Sequence, residues 1–232
     1  MASAVAEAYL ETIYNMTMEG EPVIGARLAD KFSVSRATAT ETIKRLVADG
    51  YAVQHDDKSV TLTPTGREVT EQALRRHRLT ERLLFDVLGM DWISAHEQAH
   101  ALEHWISSEV EQRISALLGH PPTCPHGNPI PGNAPSGAAF LKEQGAIRLS
   151  EVAQGQSVRV ILISEVVEDE SEVLRRLSDK GIHPQSALKV LEADPSSAVV
   201  FEVDGGVHSV PHDLASKIWV KHHESPISGG SQ

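Results

Sequence analysis

The chain has 232 residues, of which 41% are hydrophobic and only 4% aromatic, so it can form one large or two modest domains around an aliphatic core. Its 21 basic and 32 acidic residues give a net charge of −11, which argues against general affinity for nucleic acid or anionic membranes and leaves room only for a local DNA-binding surface. Cys124 is the single cysteine, which excludes an internal disulfide; without a signal-peptide pattern or a long apolar run, the chain is expected in the cytoplasm with no membrane partner.

Residues 1–73 follow the order of a winged helix-turn-helix DNA-binding domain. Apolar spacing predicts helices over Ala4–Met18 and residues 23–32, and Ser35 is the N-cap candidate of a third helix. Two short strands around a turn are predicted between residues 51 and 62. Any three small helices with a hairpin make a generic α+β domain, but this order favours DNA binding.

The third helix is the predicted recognition helix, lying in the major groove. Its small hydroxyls and cations suit such a groove, and the residues expected at the DNA are Ser35, Arg36, Ala37, Thr38, Thr40 and Lys44. Residues 1–70 nevertheless carry seven Lys or Arg against ten Asp or Glu, a net −3. The affinity of one unit should therefore be modest, and a homodimer on a palindromic operator of double-stranded DNA is expected.

Residues of the type that bind metals recur in the helical part, residues 74–119. His77 and Glu81 are four residues apart on a predicted helix, hence neighbours on one face. Residues 92–118 predict a single long helix, and one face of it carries three imidazoles and a carboxylate: His96, His100, Glu103 and His104. This donor set suits a divalent metal, and an axial span of ~12 Å requires two ions. Ligand imidazoles must be neutral, so metal affinity should fall below pH ~6.5. A solvated, histidine-rich helix face is the alternative.

The rest of the chain changes composition twice. Residues 120–145 are a Pro- and Gly-rich linker or ordered loop, in which Cys124 and His126 are not expected to bind metal. Short strand patterns with turn signals over 146–224 predict a small β-barrel. Residues 225–232 are expected to be a disordered tail.

Six stretches of the chain carry a combined family signal. They are YLETIY at 9–14, LTPTGR at 62–67, HRLTERLL at 77–84, EH at 103–104, SEVEQR at 108–113 and HGNPIPG at 126–132. Together they resemble the diphtheria toxin repressor family of metal-dependent transcriptional regulators, over nearly the whole chain. The resemblance implies a multi-domain, mainly α fold with α+β parts: a winged helix-turn-helix, a helical metal-binding and dimerisation domain, and a C-terminal SH3-like barrel. It also implies a dimer that represses genes of metal uptake.

The resemblance also implies the metal ligands. It assigns one site to His77, Glu81 and His96, a second to His100, Glu103 and His104, and outlying carboxylates to Glu11, Glu165 and Glu168. Ala8 cannot ligate where relatives have Met or Asp, so this contact is either missing or replaced by Glu7 or Glu11. His100 stands where relatives have Cys or Glu. Because Met and Cys are absent from this set, two Mn(II) ions per subunit are expected, with Fe(II) or Zn(II) as the alternatives.

Residues 100–104 also match H-x-x-E-H, the motif of inverted zinc peptidases, in which two histidines hold zinc and the glutamate activates water. This five-residue match leaves His77, Glu81 and His96 unexplained, and it does not use the helix-turn-helix order. A metal-storage protein would likewise leave the DNA-binding unit without a role. The chain is therefore expected to be a regulator and not an enzyme.

Overall fold

The computed structural model describes residues 3–135 and 137–223, so the predicted tail at 225–232 lies outside the described residues. The chain forms two compact units. The first runs from the N-terminus to Leu141 and also includes Glu165–Ser171; the second comprises Lys142–Ser164 and the chain from Glu172 on. No helix in the described part of the chain is long and apolar enough to cross a membrane.

The first unit begins with the predicted helix-turn-helix and wing. Its helices are α1 (Ala4–Met18), α2 (Gly25–Lys31) and α3 (Arg36–Ala48), and its hairpin pairs β1 (Ala52–Gln54) with β2 (Val60–Leu62) in antiparallel register. The hydroxyl of Ser35 accepts the Thr38 N–H at 3.1 Å and so begins α3 as predicted. Gly50, with φ +78°, ends that helix in the left-handed conformation that glycine adopts without strain.

An aliphatic core holds these three helices together. Its buried members come from α1, α2, α3 and the hairpin, and they include Leu10, Ile13, Leu28, Ile43, Leu46, Ala52 and Val60. The Tyr9 and Phe32 rings stack beside it with centroids 4.2 Å apart. Val166 joins the same core from the segment 165–171, so that segment is packed into the helix-turn-helix and is not a solvated turn.

Two helices follow that carry the histidines. The first, α4 (Pro64–Arg82), starts at the Thr63 N-cap and continues into a π-helical turn, Leu83–Val87. Gly66 lies in its first turn, where a Cβ would come 1.9 Å from the Tyr51 carbonyl oxygen, so only glycine lets α4 pack here. The second, α5 (Trp92–Leu102), is capped by Asp91.

The prediction of a single helix over 92–118 is wrong. Helix α5 ends at Leu102 and passes into a 3₁₀ turn, Glu103–Trp105; α6 (Ser108–Leu117) then starts afresh. The Ser107 hydroxyl accepts the Val110 N–H, which makes Ser107 the N-cap of a new helix. The calculated 12 Å span along one axis therefore does not apply to His104.

The Pro-rich segment after α6 is an ordered and largely buried part of the first unit. Three arginines of α4 donate to its carbonyls: Arg75 to Pro131, Arg78 to Pro129 and Arg82 to Thr123, each at 2.7 Å. These contacts satisfy carbonyls that proline-rich backbone cannot pair in a helix or sheet. They fix a loop that local propensity alone leaves undefined.

The second unit has the predicted SH3-like fold. A short helix, α7 (Ala138–Glu143), precedes it in the chain. Its elements are β3 (Ile147–Arg148), β4 (Ser157–Ile163), α8 (Glu170–Ser178), β5 (Ala187–Ala193), β6 (Ala198–Val203), β7 (Gly206–Pro211), α9 (His212–Ala215) and β8 (Ile218–His222). The first two residues of α8 belong to the first unit. The strands form an antiparallel sheet in the order β3-β8-β4-β5-β6-β7, with register shifts in β4 and β5. Such shifts bend the strands and curve the sheet.

Candidate metal centre

Four elements of the first unit bring the predicted ligands of the helical part together with one further histidine. Helix α4 supplies His77 and Glu81 one turn apart, and α5 supplies His96 and His100 with the same spacing. The 3₁₀ turn adds Glu103 and His104, and the loop after α6 adds His126. His77, Glu81, His96 and His126 are buried, so the centre is closed on that side.

Glu81 is the hub of the buried side. Its Oε1 lies 3.1 Å from His77 Nε2, 2.9 Å from His96 Nδ1 and 3.2 Å from His126 Nδ1. Its second oxygen, Oε2, is buried and has no hydrogen-bond partner among the described residues. Three ring nitrogens around one carboxylate, with one orphaned oxygen, form a donor set that a divalent cation fits.

The tautomer of His126 supports that fit. His126 Nε2 lies 3.1 Å from the Trp92 carbonyl oxygen, and because a carbonyl only accepts, Nε2 carries the proton. His126 Nδ1 therefore faces Glu81 Oε1 at 3.2 Å, and a proton or a cation must lie between these two atoms. A ligand imidazole commonly donates its other N–H to a carbonyl.

His77 links this buried side to the outer ligands. Its Nδ1 lies 2.6 Å from Glu103 Oε2, while its Nε2 faces Glu81. Its ring centroid is 4.5 Å from that of His100, which is half exposed. His104 lies further out, with Nε2 3.5 Å from Glu103 Oε1.

The structure groups these residues differently from the two predicted triads. Among the described residues, two sets have ligand atoms that all lie within 4.8 Å of one another: His77 with His96 and His100, and Glu81 with His96 and His126. His100 thus joins the first predicted triad, and His126 enters a set from which sequence reasoning left it out. The signal in the sequence was the short Cys-Pro-His segment, but nothing local showed that α4 would hold it against Glu81.

The charges of the metal-free centre follow from the short distances between its carboxylates and imidazoles. Burial disfavours the cation of His77, but Glu81 and Glu103 outweigh it and raise the pKa of His77 well above its usual value. At His96, Glu170 and Glu81 likewise outweigh burial and raise the pKa to about 9. Burial opposes ionisation of Glu81 too, yet the surrounding imidazoles keep its pKa well below the usual range. The metal-free centre therefore holds protons on the nitrogens that a metal needs.

Glu11 and Ala8 of α1 line a cavity of about 420 Å³ beside these histidines. Ala8 offers no donor, as the sequence indicates. Burial is the main cause that raises the pKa of Glu11 to about 7, with further contributions from the like charges of Glu103 and Glu165. Glu11 is thus placed on the side where a first-helix ligand is expected, and it must lose a proton before it can ligate.

The two carboxylates predicted from the third domain have different surroundings. Glu165 is paired with the buried guanidinium of Arg78, with Oε2 2.7 Å from Nη2, and it also accepts from Asn15 at 2.7 Å. Glu168 lines the cavity next to the histidines. Glu170, which the sequence did not single out, has Oε2 3.8 Å from His96 Nε2.

Helix α3 offers the surface predicted for DNA. The side chains of the predicted contact set are exposed, namely Ser35, Arg36, Ala37, Thr38, Thr40 and Lys44. The opposite face buries Ala39, Ile43 and Leu46. The Ser35 hydroxyl already accepts the N-cap hydrogen bond of α3, so a contact from this hydroxyl to DNA would have to form while that bond is kept.

Three family models match successive parts of the chain. Residues 1–60 match the iron dependent repressor N-terminal DNA binding domain, and residues 63–132 match the iron dependent repressor metal binding and dimerisation domain. Residues 147–222 match the FeoA domain. The matches follow the order of the elements described above.

Individual proteins are similar over nearly the whole chain. The iron-dependent repressor IdeR of Mycobacterium leprae is 35% identical over 221 residues, which cover 93% of this chain and 96% of that protein. A solved structure of a manganese-dependent transcriptional repressor in complex with manganese has a TM-score of 0.77 at 32% identity, covering 94% of this chain and 100% of the other. The structure of ScaR with bound Zn2+ has a TM-score of 0.79 at 26% identity, covering 94% and 99%.

Proposed function

Because the chain belongs to the diphtheria toxin repressor family of metal-dependent transcriptional repressors, we propose that Mn(II) is the metal to which it responds. The observation that carries this proposal is the donor set around Glu81, which is made of imidazole nitrogens and carboxylate oxygens. Family members are repressors and not enzymes, so the zinc-peptidase interpretation of residues 100–104 is not retained.

Cys124, which lies beside the centre, does not favour a softer metal. Cys124 Sγ lies 3.8 Å from His126 Nδ1. Burial, reinforced by the carboxylates of Glu81 and Glu165, raises the pKa of this thiol well above its usual value. Among the described residues, the two sets of ligand atoms that lie within 4.8 Å of one another consist of imidazole nitrogens and a carboxylate oxygen and do not include Cys124, and such donors suit Mn(II).

We propose two ions per subunit. The first is held by His77, Glu81 and His96, with His126 added from the loop. The second is held by His100, Glu103 and His104, with Glu11 from α1 in place of a ligand at Ala8. His77 supports a linked pair of sites, because its two nitrogens face Glu81 and Glu103.

Fe(II) is the alternative, because relatives such as that of Mycobacterium leprae are named for iron. Among the similar solved structures, one is named for manganese and another contains zinc, so similarity alone does not select one metal. Within the chain, the deciding feature is the pair of positions His100 and Ala8. The resemblance implies sulfur ligands at these positions in iron-type members, and neither residue here has a sulfur atom. Without them the site loses its preference for the softer ion.

The protein is proposed to act as a homodimer on a palindromic operator. The surface that supports pairing consists of exposed apolar side chains on the π-helical turn, the 3₁₀ turn and α6: Val87, Leu88, Trp105 and Leu117. The exposed α3 face in each subunit would then read one half of the inverted repeat.

The proposal is tested by titrating a labelled promoter fragment of a metal-uptake gene with the protein at buffered free Mn(II), Fe(II) or Zn(II). Mn(II) is expected to support binding within the free-ion range that it reaches in a cell, and a chelator should abolish binding. If Fe(II) or Zn(II) supports binding within its own cellular range and Mn(II) does not, the manganese assignment is wrong while the repressor function stands.

A further inference from the structure

The exposed face of α3 has a carboxylate at its centre. The buried side of the helix consists of Ala39, Thr42, Ile43 and Leu46. The opposite side carries a stripe of exposed residues at spacings of four, three and four: Ala37, Glu41, Lys44 and Ala48. Such spacings keep side chains on one face of a helix. Glu41 therefore lies on the same face as Ala37 and Lys44, which are expected at DNA.

The carboxylate of Glu41 is unpaired in the part of the chain that the structure describes. It forms neither an ion pair nor a side-chain hydrogen bond there, although Lys44 and Arg45 follow three and four residues later on the same helix. On α6, in contrast, Glu109 pairs at 2.8 Å with Arg113, four residues further on. The two oxygens of Glu41 are thus available to accept hydrogen bonds from a ligand.

Thr40, the neighbour of Glu41, also offers only acceptors. Its hydroxyl donates to the carbonyl of Arg36 at 2.7 Å, and because a hydroxyl has one proton, only its lone pairs remain for a ligand. Arg36 and Lys44 each lie one helical turn from Thr40. The middle of the exposed face therefore presents acceptors, with one cation on either side of them.

A carboxylate in the major groove needs a donor from a base. The phosphates on both sides of the groove repel it, and a charge that loses water without gaining a hydrogen bond is costly. Guanine offers the acceptors N7 and O6 there, and thymine offers the acceptor O4. The donors are the amino groups of cytosine and adenine. The adenine amino group lies beside the acceptor N7, which would face the second carboxylate oxygen, whereas cytosine presents its N4 amino group without such an acceptor on the same base.

We propose that Glu41 selects cytosine at one position in each half of the operator, by accepting a hydrogen bond from the N4 amino group. Cations that contact phosphates add affinity but carry no sequence information. Glu41 is then a residue that determines specificity on this face. The inference rests on the proposed function in so far as that function places α3 in the major groove.

The test starts from duplexes that the full chain selects from a randomised library at saturating Mn(II). Each base pair of the half-site is replaced in turn, in both halves together, and dissociation constants are measured by fluorescence anisotropy. The wild type should prefer cytosine by about tenfold or more at one position. Glu41→Ala should remove that preference and leave the ratios at all other positions unchanged. Glu41→Gln should shift it towards adenine, because an amide accepts from N6 and donates to N7 at once.

Asp49→Asn is the matched control, because it removes one exposed carboxylate from the end of the same helix. It should strengthen binding to all duplexes alike and keep the preference for cytosine. A cytosine preference that survives in Glu41→Ala, or a preference for another base that this variant removes, would overturn the proposal.

Two further results separate this proposal from the proposed function. If Lys44→Ala and Glu41→Ala both leave every affinity unchanged, α3 does not lie in the groove, and the proposal fails together with that placement. If only Fe(II) or Zn(II) supports DNA binding, the manganese assignment fails on its own. The same base ratios measured with that metal then still decide whether Glu41 selects cytosine.

Discussion

At the residue scale, the centre is organised by Glu81, whose single oxygen Oε1 faces three imidazoles. Only two of these, His77 and His96, were expected from the sequence. His126 was set aside because a histidine in a Pro-rich segment usually has no ligand role. Its position depends on arginine contacts to loop carbonyls more than 40 residues away in the chain, which no local pattern encodes.

Replacing His126 with alanine is therefore expected to weaken metal binding at the Glu81 site by about tenfold or more. The reason is the loss of a nitrogen 3.2 Å from Glu81 Oε1. Calorimetric titration with Mn(II) measures it. His120→Ala is the matched control, because His120 is exposed and its Nδ1 contacts Ser115 at 3.1 Å. Equal losses in both variants would show that His126 acts only through folding.

The pH dependence of Mn(II) affinity also differs from the prediction made from the sequence, in which affinity falls only below pH ~6.5. Because the pKa of His96 is raised to about 9, a metal must displace its proton at neutral pH. Mn(II) affinity should therefore keep rising between pH 6.5 and 8.5, by up to about one decade per pH unit for each proton released. Affinity that is flat above pH 7 would contradict this.

The stability of the metal-free protein should fall as pH rises, whereas the affinity for Mn(II) should increase. A histidine whose pKa is raised by folding stabilises the protein fully below its unfolded pKa, ~6.5, and loses that contribution as pH rises through the folded value. For His96 this window ends at about 9. Urea unfolding of the metal-free chain at pH 6.5 and 8.5 checks it, and a higher midpoint at pH 8.5 would speak against the assignment.

At the element scale, α1–α3 and the hairpin could be predicted because caps, glycine stops and apolar spacing are local signals. The break between α5 and α6 was missed, since apolar spacing continues across Ser107 while its N-cap signal is a single hydroxyl. The packing of the segment 165–171 into the helix-turn-helix was not predicted from the sequence. Its Val166 and the Lys31 contacts join residues more than 130 positions apart, beyond any sequence window.

Lys31 connects that segment to α2, so it should matter for the response of DNA binding to metal. Lys31→Ala removes the donor to the Glu165 and Val167 carbonyls and should reduce the Mn(II)-induced gain in operator affinity, by about fivefold on the scale typical of coupling between sites. Anisotropy titrations with and without Mn(II) measure this gain. Lys44→Ala, on the exposed face of α3, is the control and should weaken both titrations alike.

At the scale of the whole molecule, the net charge of −11 weakens the attraction of one subunit for DNA. DNA binding is therefore expected to depend on the pairing of two subunits. Trp105 is 87% exposed, and we expect it to be buried in the dimer. Trp105→Glu should cost about 2 kcal/mol or more of pairing energy, roughly thirtyfold in the dimer dissociation constant. Sedimentation equilibrium measures it, with the exposed Val207→Glu of the second unit as control. An unchanged dimer would place the interface elsewhere.

The central claim is that one molecule couples a divalent metal to operator DNA. Coupling between two ligands is reciprocal, so operator DNA must raise Mn(II) affinity by the same factor by which Mn(II) raises operator affinity. The direct measurement is calorimetric Mn(II) binding with and without saturating operator duplex. We expect tighter Mn(II) binding in the presence of the operator and no change with a duplex of scrambled sequence at high salt. Identical Mn(II) affinity with and without the operator would contradict it.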